Sequence, residues 1–229
     1  MKIKILLAVI ISTFSFSAFA EVVECYSFNA YPAKAQLFSK HVEEAAGIHS
    51  SLGATVGVYN INVGGIGQEI QYCMRWDDLI AWGISKDKIE NSSEFQKFSA
   101  KVAANPAAEM VSSISGANLD LEAKATLFDK PMAYQVQVWD VPTENAEQVV
   151  KNFLEAEKIL ESLGAQVEIY QEGAGGNGKY HYVLAYDSWA KLAEGFAKIA
   201  TSEAWATFSA SITPGLATVV STHNGSSIN

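Results

Sequence analysis

The sequence is short of almost every residue pattern that announces chemistry. It has two cysteines and four histidines in 229 residues, and neither set falls into a ligand or catalytic spacing. There is no C-x-x-C, which excludes a dithiol redox motif and a cysteine zinc cluster. There is no H-E-x-x-H either. His41 and His49 share a predicted helix but stand eight residues apart, about 80° round its axis, so no metal site is expected. A G-x-S-x-G nucleophile elbow is also missing. Basic residues are scarce, 16 against 25 acids, and nowhere clustered. Nucleic acid, which is held by grouped Lys and Arg, is therefore not an expected partner.

The one long apolar run lies at the N-terminus. Lys2 and Lys4 precede an apolar stretch over residues 5–11, and Ala18-Phe19-Ala20 forms an A-x-A cleavage site. That is the pattern of a secretory signal peptide over residues 1–20, cut near Ala20, and it predicts a periplasmic or secreted protein. No other stretch could cross a bilayer, so the mature chain is expected to carry no transmembrane segment. Losing Lys2 and Lys4 leaves 14 basic against 25 acidic residues, a net charge of −11.

What the chain has is repetition. Leu52-Gly53-Ala54-x-Val56-x-Val58-Tyr59 returns as Leu163-Gly164-Ala165-x-Val167-x-Ile169-Tyr170, an offset of 111. Gly64-Gly65-x-Gly67 recurs as Gly175-Gly176-x-Gly178. With one residue dropped near Arg75, Trp76-Asp77 matches Tyr186-Asp187 and Phe95-x-x-Phe98-Ser99-Ala100 matches Trp205-x-x-Phe208-Ser209-Ala210. Each copy reads strand, helix, strand, strand, helix, short helix, strand. Leu37, Phe38, Val42, Ala45 and Ile48 keep helical spacing, as do Val149, Phe153, Ala156 and Ile159. Gly53 and Gly164 suit left-handed helix stops, and Thr143 suits an N-cap. The glycine stretches at 64–67 and 173–178 join strand to strand and lack the Lys-Ser/Thr of a phosphate loop, so they read as hairpin turns. No cofactor is called for. The expected division is repeat 1 over 21–113, a connector over 114–130, repeat 2 over 131–223 and a tail over 224–229.

A β-α-β-β-α-β unit is the ferredoxin-like motif, with both helices on one face of an antiparallel sheet. The predicted fold class is therefore α+β, two tandem ferredoxin-like repeats packed sheet to sheet as an intrachain α/β barrel. The layout, with Trp76-Asp77 and Tyr186-Asp187 opening the second helices and the Phe95/Phe98 and Trp205/Phe208 segments behind them, resembles the dimeric α/β-barrel superfamily. Within it, the resemblance is to NIPSNAP-like and antibiotic-biosynthesis-monooxygenase-like domains. It implies a barrel closed by two facing units. It also implies, as one activity of the superfamily, cofactor-independent oxygenation or isomerisation of a flat aromatic or haem-like substrate. No residue here matches a catalytic set of that family.

Strand alternation predicts which side chains face between the sheets. If Val136 and Val138 lie under the helices, Gln135, Gln137 and Trp139 face inward, and so do Glu24, Tyr26 and Phe28 in the first copy. Glu69, Gln71, Cys73 and Arg75 join them, with Tyr180 and Tyr182 in the second copy and Tyr59 and Tyr170 beside them. Burying Glu24, Glu69 and Arg75 is costly unless they pair or meet water, so this face is either a small-molecule pocket or a structural polar network. Cys25 and Cys73 lie on neighbouring strands but are predicted on opposite faces, which leaves a disulfide open. His181 is predicted on the helix side. The functional expectation is a small-molecule or partner-binding module, monomer or homodimer, with the oxygenase or isomerase reading and a structural envelope protein as alternatives.

Overall fold

The computed structural model describes residues 20–65, 69–128, 130 and 132–228; all but the last residue of the predicted leader over 1–20, and Gly67 of the first glycine stretch, lie outside them. Repeat 1 comprises β1 (Val22–Ala30), α1 (Ala35–Ser51), β2 (Thr55–Val63), β3 (Glu69–Trp76), α2 (Leu79–Glu90), α3 (Ser93–Ala104) and β4 (Ala108–Asn118). Repeat 2 comprises β5 (Ala133–Asp140), α4 (Ala146–Ser162), β6 (Gln166–Glu172), β7 (Tyr180–Tyr186), α5 (Trp189–Thr201), α6 (Glu203–Ser211) and β8 (Thr218–Ser227). The last strands thus run on through the first residues of the predicted connector and tail.

Local chemistry is duplicated along with the elements. Asp78 caps α2 by accepting from Ala81 N, and Ser188 caps α5 by accepting from Lys191 N. Ser92 and Ser202 cap α3 and α6 in the same way. These oxygens satisfy amide groups that the helix itself leaves unbonded. Gly53 and Gly164 take the left-handed stop, with φ of 105° and 99°. Thr143 does not cap α4. A single 3-10 turn, Thr143–Asn145, leads into that helix, and no side chain caps it.

The eight strands close in the order β1-β3-β2-β8-β5-β7-β6-β4, every pair antiparallel. Alternating direction round the ring sets β1, β2, β5 and β6 parallel to one another, so both glycine hairpins lie at one end of the barrel. The two repeats join edge to edge at two seams, Tyr59↔Ser227 to Val63↔Asn224 and Gly116↔Glu172 to Asn118↔Tyr170. The hairpin glycines serve these seams. Gly64 has φ +92°, and a Cβ there would stand 2.4 Å from Thr222 O of the other repeat. Gly175 has φ +82° and would stand 2.3 Å from Ser113 O. Only a residue without a Cβ fits both constraints.

Apolar packing divides into three bodies. One lies under α1–α3 on the outer face of repeat 1, around Tyr72, Met74 and Trp76. A second lies under α4–α6, around Phe153, Leu160, Ile169 and Leu192. The third fills part of the barrel interior with Val23, Tyr59, Tyr134, Val136 and Tyr170. Among the described residues no helix is long and apolar enough to cross a membrane.

Candidate functional site

The barrel interior is defined by register. Val23 faces Arg75, Cys25 faces Cys73 and Ser27 faces Gln71 across β1 and β3. Directly opposed residues share a face, so these six point inward, and Cys25 and Cys73 are joined in a disulfide. The expectation that they sat on opposite faces is corrected by this pairing. Inside the barrel a hollow of about 260 Å³ is lined by this bridge and by Tyr59, Glu69, Gln71, Arg75, Tyr134, Tyr170, Glu172, His181 and His223, among others.

Its closed end, where β1 begins, holds a buried ionic cluster. Arg75 Nη1 donates to Tyr59 OH at 2.9 Å, its guanidinium stands 5.5 Å from the centre of that ring, and its Nε lies 3.6 Å from Glu21 Oε1. Glu21 Oε2 accepts from Tyr170 OH and from Asn118 Nδ2, both at 2.9 Å, and Asn118 also donates to Glu168. Burial holds the Glu21 carboxyl above the usual carboxylate range, although Arg75, Asn118 and Tyr170 pull it down. Burial, helped by the neighbouring Glu21, pushes Glu168 up to about 8, so it is protonated at neutral pH. Arg75 lies within ion-pair distance of one carboxyl, Glu21, and the second acid, Glu168, is neutral. Arg75 thus both lines the hollow and has Glu21 as an ion-pair partner.

At the hairpin end, His181 Nε2 lies 2.7 Å from Glu172 Oε1, while Glu172 Oε2 accepts from Asn177 N and Lys179 N. The His181 bond, with these amides, holds Glu172 at about 2. His223 Nε2 is buried without a hydrogen-bond partner among the described residues. Burial and the nearby His181 lower its pKa, against an opposing pull from Glu69.

The structure divides the residues predicted for the inter-sheet face. Glu69, Gln71 and Arg75, with Tyr59 and Tyr170, line the interior hollow. Glu24, Tyr26, Gln135, Gln137, Trp139, Tyr180 and Tyr182 lie on the outer, helix-covered face instead. Glu24 accepts from Trp82 Nε1 and Tyr26 OH at 2.8 Å and from Lys86 Nζ at 3.0 Å. Burial raises its pKa, and these three donors together outweigh that and leave it lowered. Trp139, Tyr180 and Tyr182 pack edge-on or tilted against Phe153, and Gln135 bonds Asn224. His181, predicted under the helices, is inside. The sequence reading missed Glu21, Glu168, Glu172 and His223; the period-2 run Gln166, Glu168, Tyr170, Glu172 was the available signal.

Two larger hollows lie between the outer sheet face and the helices. The one in repeat 2, about 410 Å³, is lined by Gln137, Trp139, Phe153, Tyr182, Trp205 and Phe208, among others. It has no His, Cys or Met among its lining residues, and Tyr182 OH is turned to Phe153 O at 3.4 Å. That leaves no free axial ligand for a haem iron. The one in repeat 1, about 460 Å³, is lined by Phe28, Phe38, Val42, Phe95 and Phe98, with His41, His49, Tyr26, Tyr72, Lys86 and Glu90 as its polar groups. His49 Nδ1 and Tyr72 OH share a hydrogen bond of 2.7 Å. Burial and Lys86 lower the His49 pKa, and burial raises that of Tyr72, so both are neutral at pH 7. His41 is 6% exposed, and its Nδ1 is buried without a hydrogen-bond partner among the described residues. Among the described residues no group of three His, Cys, Asp or Glu is placed to hold a metal.

No family model and no curated protein matches the sequence. Solved structures do match. A candidate monooxygenase from Fusobacterium nucleatum superposes with a TM-score of 0.58 at 9% identity, covering 91% of each chain. A candidate chlorite dismutase gives 0.58 at 9% identity, over 92% of this chain and 95% of that one. An anthrone oxidase-like protein gives 0.53 at 10% identity, over 92% of both. The chain therefore shares the fold of these structures, an α+β barrel of two ferredoxin-like halves, both supplied here by one polypeptide.

Proposed function

We propose that this chain is an exported protein that binds a flat, largely apolar small molecule between the sheet and the helices of repeat 1. One observation carries the reading: a hollow of about 460 Å³ walled by apolar and aromatic side chains, with His41 in its lining and the His41 Nδ1 buried without a hydrogen-bond partner among the described residues. A buried polar atom left unpaired costs about 1–3 kcal/mol, and a ligand donor or acceptor would recover that. The volume falls within the range of small-molecule sites, and few polar groups on an apolar wall is their usual make-up. Phe95 and Phe98, 6.3 Å apart, suit a planar ring system. The repeat-2 hollow is apolar too, and Trp139 in its lining also has a buried, unpaired Nε1, but an indole N–H can only donate and no imidazole lines that hollow. The resemblance to a candidate monooxygenase and to an anthrone oxidase-like protein supports the same class of ligand.

A second reading, cofactor-independent oxygenation, is favoured by the neutral imidazole of His49 beside this hollow. A base of that kind could take a proton from a bound phenol. Titration with anthrone and with 1-naphthol, followed by thermal shift and oxygen uptake, tests both. Binding that raises Tm and is weakened about tenfold or more in His41→Leu supports the site; oxygen uptake lost in His49→Phe supports the enzyme. No thermal shift with either probe, or an undiminished shift in His41→Leu, refutes the assignment.

A further inference from the structure

The interior disulfide is exposed to the hollow and to nothing else. Cys25 and Cys73 point inward from adjacent strands, and the outer faces of β1 and β3 are covered by the helices of repeat 1 through Tyr26, Phe28, Tyr72 and Met74. A protein reductant has no path to this bridge in the folded state. A small molecule has one, because both cysteines line the hollow, and the hollow reaches the rim at the exposed Ser112. Its volume of about 260 Å³ corresponds to about nine waters. The two sulfurs are not equivalent. Cys73 is 2% exposed, whereas Cys25 is only half-buried.

We infer that the Cys25–Cys73 bridge is a site of exchange with low-molecular-weight thiols, which enter through the barrel's hollow and attack at Cys25. The entering thiolate bonds to Cys25 Sγ, the protein S–S bond breaks, and its electron pair leaves on Cys73 Sγ, which takes up a proton. A second small thiol then attacks the mixed disulfide. Two thiols are oxidised to one small disulfide and the bridge is reduced to two thiols. Exchange rate depends on thiolate fraction and on access, and the hollow provides for both. Ser27, Gln71 and Ser112 can hold a polar thiol. His223 lines the same space, its Nε2 is buried without a hydrogen-bond partner among the described residues, and its imidazole can receive the thiol's proton. The other charged or titratable groups that line the hollow are Glu69 and Arg75 from β3, Tyr59 from β2, Tyr170 and Glu172 from β6, His181 from β7 and Tyr134 from β5. The site is separate from the repeat-1 hollow, so its failure and failure of the binding reading are distinguishable.

The experiment treats native, oxidised protein with cysteamine, glutathione or a reduced protein dithiol such as thioredoxin, quenches with acid, and maps adducts by peptide mass spectrometry. Exchange about tenfold faster with cysteamine than with glutathione, absent with the protein dithiol, and with the adduct on Cys25, is expected. Ser112→Phe, checked for folding by circular dichroism, should slow cysteamine by about tenfold. His223→Gln should slow it at pH 7 and leave it unchanged at pH 9, where the thiol ionises unaided. Equal rates for cysteamine and the protein dithiol, an adduct mainly on Cys73, or no exchange short of denaturation would overturn the inference. An unchanged rate in His223→Gln at pH 7 would overturn the role given to that imidazole.

Discussion

Replacing Glu168 by glutamine should make the protein more stable at neutral pH while removing part of its pH dependence. Glu168 is 2% exposed, and burial with Glu21 beside it raises its pKa from 4.5 to about 8. The folded state therefore holds a proton that the unfolded chain has released above pH 4.5. Stability is full below that value and is lost as pH rises toward 8. Each unit in the window costs about 1.4 kcal/mol, so from pH 5 to pH 7 this single carboxyl removes about 3 kcal/mol. Glu157, raised to about 7 by burial and by Asp120, acts in the same direction. Glu172 acts in the opposite one: held at about 2, it contributes stability above pH 4.5 that is lost as pH falls. Stability should peak near pH 5. The amide introduced by Glu168→Gln would carry no charge at any pH and still offer Asn118 an acceptor, so urea unfolding at pH 5, 6 and 7 should show parent and variant converging at pH 5. By pH 7 the variant should lead by up to about 3 kcal/mol, with the Glu157 slope still present in both. Parallel pH profiles for the two proteins would refute the buried-proton account.

Two further predictions concern the scaffold. The residues equivalent to Cys25 and Cys73 in repeat 2 are Val136 and Val183, which face each other in the same way; converting both cysteines to valine should keep the fold. It should nonetheless cost up to about 4 kcal/mol of unfolding free energy, from a bridge spanning a sequence separation of 48. Gly64→Ala should destabilise by more than about 1 kcal/mol through its positive φ and the nearby Thr222 O. By contrast, Gly83→Ala, mid-helix with nothing within 4 Å of its added Cβ, should stabilise by about 0.5–1 kcal/mol in the same melt.

The duplication, the element order and the barrel were legible because each rests on local signals: glycine stops, serine and aspartate caps, alternating strands. The faces of the strands were legible only in part, and two particular residues explain why. The dropped residue between the repeats falls in the second hairpin, before β7, and not near Arg75: Cys73 opposes Cys25 as Val183 opposes Val136. Matching Gln71 to Tyr182 instead of His181 therefore turned the whole of β7 inside out, since a shift of one residue exchanges the faces of a strand. In β5, Val136 and Val138 suggested the helix side because they are apolar. A barrel interior is also shielded from bulk solvent, however, and apolarity alone does not separate two buried faces. Glu21 was hidden by its place beside the predicted cleavage site, where residues are read as processing signal rather than core.

Fusing two units into one chain changes what the interior can hold. In a barrel built from two identical chains, every inward residue appears twice about the axis. Here Arg75 corresponds to Ala185, Glu21 to Met132, Glu168 to Gly57, and the Cys25–Cys73 bridge to Val136 and Val183, positions fixed by the matching registers of the two halves. A symmetric interior would carry two arginines and four carboxylates in a space whose hollow is about 260 Å³, each ion costing several kcal/mol to desolvate. With independent halves, one carries the arginine, Glu21 and the disulfide, and the other answers with Glu168, Tyr134 and the two imidazoles of His181 and His223. The same freedom acts on the outer faces, where His41 and His49 line the repeat-1 hollow and no imidazole lines the repeat-2 hollow. The asymmetry between the copies, more than the fold they share, is where the chemistry of this chain resides.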